Sequence, residues 1–382
     1  MGLQSNVGRK GLLDTKRRVL VAGASGLIGV AASEAFLSAE RDVVAISRRR
    51  PILPSGRDFE FISVDLRDES AVREALFSRD DITHVAYAAI YENPHDLVSG
   101  WSNADQIEVN NAMLRNVIEP LVSGKSALTH LSILQGTKAY GVHLHPIPIP
   151  ARESDPRDDH ANFFLDQEDY VRDMGAKHGF SFTVLRPQLV TGQTPGALNV
   201  LPAIGAYAAL RREKGEPFSF PGGPSFVWEA ADADLVGRVM AWAAQAPQAG
   251  NEIFNVTNGD VFEWRSVWPA LAETLGVKLG PDEPASLAAY IRDNADVWSK
   301  IVAKYGLASG DLGAFVGQGD QHADFAFAYG APAGPVAFVS TVKLRKAGFN
   351  AAVETRDALC AALQSFIDRK LLPPARKSLR AA

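Results

Sequence analysis

The chain of 382 residues contains a single cysteine, Cys360. One thiol excludes an internal disulfide framework and any cysteine-clustered metal site. Its Ala-Leu-Cys-Ala-Ala-Leu setting reads as a small apolar position on a helix. Long apolar runs are lacking too. The two longest uncharged stretches, residues 187–210 and 325–342, are interrupted by proline and glycine, so neither has the unbroken character of a membrane span. Residues 1–16 lack the apolar core that a signal peptide requires and read as a polar tail. Positive charge is not in excess: Lys plus Arg is 39 against 44 Asp plus Glu, a formal net charge of −5. No basic tract is longer than Arg48-Arg49-Arg50, which argues against nucleic acid as a partner. These absences lead us to expect a soluble, cytoplasmic protein with no membrane and no nucleic-acid partner.

What is present is a globular composition, 46% hydrophobic and 22% charged, enough apolar side chain for a sizeable core. The length suits a core domain carrying a second lobe. Residues 18–22, 42–47, 59–64, 82–88 and 127–133 read as strands. Helical stretches lie between them, ending near residue 38 and covering 69–77 and 105–121. Strands that alternate with helices imply a parallel sheet covered on both faces. After residues 181–187 the rhythm breaks into short helices rich in proline, glycine and aromatics, where we place the second lobe. Residues 229–244 read as a return to the first lobe, 253–259 as a strand ending in a turn, and 262–275 as an amphipathic helix.

Between the first strand and first helix lies Gly23-Ala-Ser25-Gly26-Leu27-Ile28-Gly29. Residues without a Cβ let the backbone curl tightly and let a pyrophosphate approach the helix N-terminus, where unpaired N–H groups favour an anion. Opening the first of several strand–helix units, this reads as a dinucleotide-binding turn. The expected fold is α/β, a Rossmann-type doubly wound parallel sheet with a smaller C-terminal substrate lobe. We expect a tail at 1–16, the nucleotide-binding domain at 17–190, and a mainly substrate-binding lobe at 191–382 with some segments returning. At the end of the second strand stands Ser47-Arg48-Arg49-Arg50, with no carboxylate. Guanidinium groups fork onto a 2′-phosphate with charge-assisted hydrogen bonds, so NADPH is preferred over NADH. A solvated basic loop is the alternative. Asp65 and Leu66, after the third strand, are candidates for an adenine contact or a helix cap.

With the glycine turn, the segments Val109-Asn-Asn-Ala-Met-Leu-Arg-Asn116, Gly136-Thr-Lys138-Ala-Tyr140, Asn162-Phe163, Glu168-Asp169, Leu185-Arg-Pro187 and Asn251 to Trp264 make the chain resemble the extended short-chain dehydrogenase/reductases. More closely it resembles the progesterone 5β-reductase and iridoid synthase-like family, from residue 18 into the C-terminal region. The resemblance implies an NADPH-dependent reductase of activated double bonds or carbonyls. It assigns to Lys138 the family lysine beside the nicotinamide ribose, and it adds Pro187 to the cofactor contacts. None of the eight tyrosines is followed four residues on by lysine, which this subfamily leads one to expect. The family's catalytic tyrosine position, however, is Phe164, the next tyrosine is Leu165, and Gln135 replaces a threonine.

Loss of one donor to a developing oxyanion costs about 10²–10³ in rate. Candidates near the chemistry are therefore Lys138, Tyr140 and Gln135, with Phe164 in the wall. Asn199, Tyr207 and Trp228, with Phe218 and Phe226, are candidates for an apolar substrate pocket, each of which would serve equally as core. Glu168 and Asp169 are an acid/base pair or helix-surface charges. His143, His145 and His160 resemble a metal trio only superficially, and we expect no metal. The expected function is reduction of a small apolar carbonyl or α,β-unsaturated carbonyl compound by hydride transfer with an atypical proton or oxyanion donor. An enzyme of altered chemistry on the same fold (isomerase, epimerase or lyase) and a non-catalytic NADPH sensor are the alternatives. A small-molecule substrate is the expected partner, and a homodimer is an assembly the sequence leaves open.

Overall fold

The computed structural model describes residues 18–92, 103–196 and 198–375; the tail at 1–16 lies outside them. Along the first half run β1 (Arg18–Ala22), α1 (Leu27–Ser38), β2 (Asp42–Ser47), β3 (Glu60–Ser63), α2 (Glu69–Leu76), β4 (Ile82–Tyr87), α3 (Ala104–Ser123), β5 (His130–Leu134), α4 (Phe163–His178) and β6 (Ser181–Pro187). Then come β7 (Val190–Thr191), α5 (Val200–Glu213), β8 (Ala231–Asp232), α6 (Ala233–Ala243), β9 (Glu252–Val256), α7 (Trp264–Leu275), α8 (Leu287–Asp293) and α9 (Ala295–Tyr305). The described chain closes with α10 (Leu312–Val316), α11 (Gly319–Ala326), α12 (Val342–Lys346) and α13 (Thr355–Asp368).

Seven strands form one sheet in the order β3-β2-β1-β4-β5-β6-β9, and every pairing in it is parallel. Strands buried on both faces need apolar side chains at consecutive positions, and Val19, Leu20, Val21 and Ala22 supply them in β1. One face of the sheet packs against α1 and α6 through Phe36, Leu235, Val239 and Met240. The other packs against α2, α3 and α4 through Val72, Leu114, Val117 and Val171. A separate core, built on α5, α7 and α13 around Tyr207, Trp268 and Phe366, fills the C-terminal helical region.

Residues 229–244, expected to return to the first lobe, include α6, which packs on the sheet, and residues 253–259, expected as a strand ending in a turn, overlap β9. Asp232 caps α6 by accepting from the N–H of Asp234 and Leu235 at 2.9 and 3.2 Å, while β9 pairs with β6. Leu344 and Phe349 also pack on the sheet side. The α1–α6 contact is close because Gly237 has no side chain: a Cβ there would stand 2.5 Å from the Ala31 carbonyl oxygen. Cys360 on α13 is half-buried against the helical core. Among the described residues no helix is long and apolar enough to cross a membrane.

Candidate functional site

The glycine turn lies at the C-terminal edge of the sheet, where β1 adjoins β4 and the strand order reverses, the crevice in which open α/β sheets bind ligands. Gly23 leaves β1 with φ +77°, and a Cβ there would stand 2.6 Å from the backbone of Ala89. At Gly29 a Cβ would meet the Gly23 carbonyl oxygen at 2.1 Å. Glycine is thus required at both positions. Gly26 caps α1 with no side-chain hydrogen bond, and no carboxylate occupies the helix's first turn. Helices α2 to α6 are each capped by an Asp or Asn side chain, so α1 alone of these presents its N-terminal N–H groups for an external anion. Ser25, Gly26, Leu27 and Ile28 are all half-buried at that end. The cradle fits a pyrophosphate.

At the end of β2, buried Ser47 donates its hydroxyl to the Arg49 carbonyl at 2.7 Å. This folds the turn that carries Arg48 and Arg49, both exposed. Arg50 instead lies over the Phe59 ring at 4.5 Å. Asp65 is engaged by Arg67, with 2.6 Å between Oδ2 and the guanidinium, which holds its carboxyl below the usual range. It caps no helix, because Asp68 does so for α2 by accepting from Ala71 N–H at 3.0 Å. Leu66 is buried, and its carbonyl accepts from Asn116 Nδ2 at 2.9 Å.

Past β5, a short 3-10 helix over Thr137–Tyr140 carries Lys138. Asn162 ties this turn to α4: its Oδ1 accepts from Phe164 N–H at 2.9 Å and its Nδ2 donates to the Lys138 carbonyl at 3.2 Å. The Phe164 ring is 6% exposed, edge-on to Phe163 at 4.7 Å. It stands 3.8 Å from where a Gly136 Cβ would be, and Pro187 carbonyl oxygen is 3.5 Å from that same point. Lys138 therefore shares a corner with Phe164 and Pro187. Two ionisable groups, Lys138 and Glu92, act on each other there. Burial pushes the Lys138 amine down to about 7 and the Glu92 carboxyl up to about 7, with each one's charge acting against the other's shift. Glu92 Oε1 is buried with no hydrogen-bond partner. Its neighbour Tyr91 is clamped by Asn110 of α3, which accepts from Tyr91 N–H and donates to its carbonyl, both at 2.8 Å.

A PRISE-like Rossmann-fold domain model matches residues 55–329. The chain belongs to the PRISE-like Rossmann-fold family. An (S)-8-oxocitronellyl enol synthase of Camptotheca acuminata is 30% identical over 317 residues, spanning 77% of this chain and 79% of that one. The enzyme of the same name from Catharanthus roseus is 29% identical over 313 residues, spanning 76% and 78%. Among solved structures, UDP-glucose 4-epimerase of Thermotoga maritima superposes with a TM-score of 0.64 at 16% identity, covering 92% of this chain and 99% of the epimerase. The Thermus thermophilus UDP-glucose 4-epimerase, in complex with NAD, gives 0.62 at 19% identity, covering 91% and 98%. At such identity these two share the fold.

Several expected site residues of this PRISE-like chain have their polar atoms committed elsewhere. Gln135 donates to the Phe164 carbonyl at 2.6 Å and accepts from Arg186 Nε at 2.7 Å, so its amide locks β5 to α4. Tyr140 donates to Asn255 Oδ1 at 2.7 Å, its ring lying under Arg186 at 4.7 Å. This corrects the expectation of a substrate-facing Gln135 and Tyr140, since alternation along an extended segment does not hold in a 3-10 turn. Glu168 pairs with buried Arg186 at 3.0 Å, and Asp169 with Arg157 at the surface, so they form no acid/base pair. Asn199 caps α5 and donates to the Gly192 and Thr194 carbonyls. Tyr207 and Phe218 lie in the helical core, the Tyr207 hydroxyl donating to the Ser219 carbonyl at 3.1 Å. Trp228 is buried against Phe226 and Phe325. Asn199 and Tyr207 therefore have their polar groups spent within the second lobe, whereas the Trp228 indole N–H has no partner among the described residues and Phe325, against which it packs, stacks on His322 at 6.3 Å.

His145 and His160 flank Asp158 at 2.9 and 3.3 Å, and the His143 ring meets His160 edge-on at 5.2 Å. No three His, Cys, Asp or Glu groups among the described residues are disposed to hold a metal. Two residues near Lys138 escaped sequence reasoning, Glu92 and His322. His322 comes from α11, donates from Nδ1 to the Leu198 carbonyl at 2.5 Å, and is kept neutral by burial, with the Lys138 charge adding to the effect. Neither belongs to a recognisable motif. The one hint was Asn110, inside a segment already singled out.

Proposed function

We propose that this chain is an NADPH-dependent reductase of small apolar carbonyl or α,β-unsaturated carbonyl compounds, located in the cytoplasm, whose donor to the reacting oxygen is not tyrosine. The observation that carries the reading is the union, on one edge of the sheet, of an uncapped α1 N-terminus, the exposed Arg48–Arg49 pair and the desolvated Lys138. The names of the related enol synthases agree with it, because an enol is what remains when hydride adds to the far carbon of an unsaturated carbonyl and the oxygen takes a proton.

The bound dinucleotide supplies the hydride. Gly23, Ser25, Gly26, Leu27 and Ile28 hold its pyrophosphate; Ser47 shapes the turn from which Arg48 and Arg49 grip the 2′-phosphate. Asp65 and Leu66 border the adenine side, Pro187 the nicotinamide side. Lys138 binds the ribose, and its amine, positive when protonated, stabilises charge on the reacting oxygen. Phe164 and its neighbours Phe163, Ala139 and Leu165 form an apolar wall that excludes water.

Substrate-dependent NADPH oxidation over a panel of enones and aldehydes tests the reading. Lys138→Ala is expected to lower kcat/KM by about 10²-fold or more while leaving the urea midpoint little changed. Normal turnover by the variant would remove Lys138 from the site. No oxidation with any substrate by the parent protein would overturn the reductase assignment.

A further inference from the structure

In this corner Phe164 offers no hydroxyl, while Gln135 and Tyr140 have theirs or their amide engaged. A reacting oxygen beside Lys138 still needs a proton if the product is to leave neutral. The geometry points to Glu92 as that proton donor, a catalytic acid standing in for the hydroxyl that position 164 lacks. The inference rests on the reductase reading.

Three observations carry it. First, Glu92 Oε1 is buried and without a hydrogen-bond partner. A buried carboxyl oxygen with no partner among the described residues costs stability, which a hydrogen bond to a ligand would relieve. Second, Glu92 is held in place: Asn110 grips both backbone polar groups of Tyr91, and β4, from which this loop leaves, is hydrogen-bonded to β5, which leads into the Lys138 turn. Third, β4 and β5 run side by side, so Glu92 and Lys138 follow neighbouring strand ends, and burial raises the Glu92 carboxyl's proton affinity against the pull of the Lys138 charge, so it keeps a donatable proton to higher pH than an exposed glutamate. The groups around Lys138 are Glu92 from the loop after β4, His143 from its own segment and His322 from α11. Both histidines are depressed by burial, and His322 Nδ1 is spent on Leu198. Glu92 is the acid among them.

The step balances as follows. Hydride from the reduced dinucleotide adds to the electrophilic carbon, and the π electrons move to oxygen. The Glu92 carboxyl O–H bond breaks as the new O–H bond forms, giving the enol from an enone or the alcohol from a carbonyl. The resulting carboxylate faces protonated Lys138 and regains its proton from water. The dinucleotide is oxidised and the substrate reduced by two electrons.

The test uses Glu92→Gln, which keeps shape and loses the acid, with Glu92→Asp as the conservative variant. In the parent, kcat/KM for enone reduction should fall as pH rises through about 7, because the donor deprotonates. In Glu92→Gln turnover should drop by about 10²-fold or more, and the limb that remains, set by Lys138 alone, should move to lower pH, while Glu92→Asp recovers part of both. Without cofactor, the pH at which Lys138 half-reacts with acetic anhydride, followed by peptide mass spectrometry, should shift downward in Glu92→Gln, because the carboxylate that favours its ammonium is gone. Full activity with an unchanged pH profile in Glu92→Gln overturns the donor role while leaving the reductase reading intact. An unmoved labelling midpoint overturns the pairing itself. A parent protein that oxidises no NADPH with any substrate overturns the reductase reading, and the donor role falls with it.

Discussion

Phe164 occupies the position at which the proposed function lacks a hydroxyl. Its backbone is fixed twice, by Asn162 through the N–H and by Gln135 through the carbonyl, so a tyrosine there would enter a prepared position. Phe164→Tyr adds an O–H donor near the reacting oxygen, for which one well-aimed donor is worth up to about 10²-fold. With Glu92 already donating, the gain in the parent should be smaller than in a Glu92→Gln background. Steady-state NADPH oxidation in both backgrounds checks this. Lower rates in both would mean that the ring is part of the substrate wall, where a desolvated hydroxyl costs roughly 1–3 kcal/mol. Glu229 is a second buried carboxyl, 8% exposed, whose Oε2 accepts from Val339 N–H at 2.9 Å. Burial raises it to about 7. A carboxyl raised on folding contributes fully at acid pH, and that stability is lost as pH climbs from the ordinary glutamate range through 7. Glu229→Gln keeps an acceptor and removes the ionisation. The variant should unfold at nearly the parental temperature at pH 5 and gain about 1–3 kcal/mol at pH 8; equal differences at both pH values would show that Glu229 ionises freely.

At the scale of elements, α1 serves the fold and, in the proposed function, the nucleotide. Its first turn forms the cradle, while its body presses on α6, an element more than 190 residues later in the chain that returns to the sheet. Gly237 makes the approach possible, since a Cβ would stand 2.5 Å from Ala31 carbonyl oxygen. Neither partner atom is the end of a flexible side chain, so one helix must move. Gly237→Ala should lower stability by about 1–3 kcal/mol and weaken nucleotide binding, because the displaced helix carries Gly26 and Gly29. Urea unfolding and nucleotide titration read the two effects. Unchanged stability would show that the two helices separate there without cost.

For the whole molecule, the proposed nucleotide binding would couple to unfolding. The residues that would hold the dinucleotide lie on α1, on segments following β1, β3 and β5 and at the ends of β2 and β6, so the ligand would clamp the sheet's C-terminal edge. A ligand that binds only the folded state adds about 2.7 kcal/mol at one hundred times its Kd, and NADP⁺ should raise Tm accordingly. Arg48→Ala with Arg49→Ala should remove most of the shift for NADP⁺ and leave that for NAD⁺ near its parental value, since a charge-assisted hydrogen bond is worth about 1.5–3 kcal/mol. Equal loss for both dinucleotides would sink the preference for the 2′-phosphate.

The sequence by itself determined the sheet, the cradle and the family. Apolar strands alternating with helices leave few parallel topologies, and Gly23 and Gly29 are legible because only a residue without a Cβ fits a turn that packs on its own backbone. The exposure of Arg48 and Arg49 is legible because a run of charge at the end of β2 has no role in the core. Boundaries moved by a few residues, as at β5, which starts at His130 rather than 127, because apolar pattern does not say where pairing begins. The tertiary structure alone decided which polar groups are spent. Gln135, Tyr140 and Asn199 have the right chemistry for a site, yet each finds its partner on an element distant in sequence or in its own cap. Glu92 is the reverse case: an ordinary acidic residue in an unmarked loop becomes a candidate acid because folding buries it beside Lys138 and leaves one oxygen without a partner. Hydrogen-bond satisfaction and desolvation depend on what the whole chain brings near an atom, and local sequence carries no record of that.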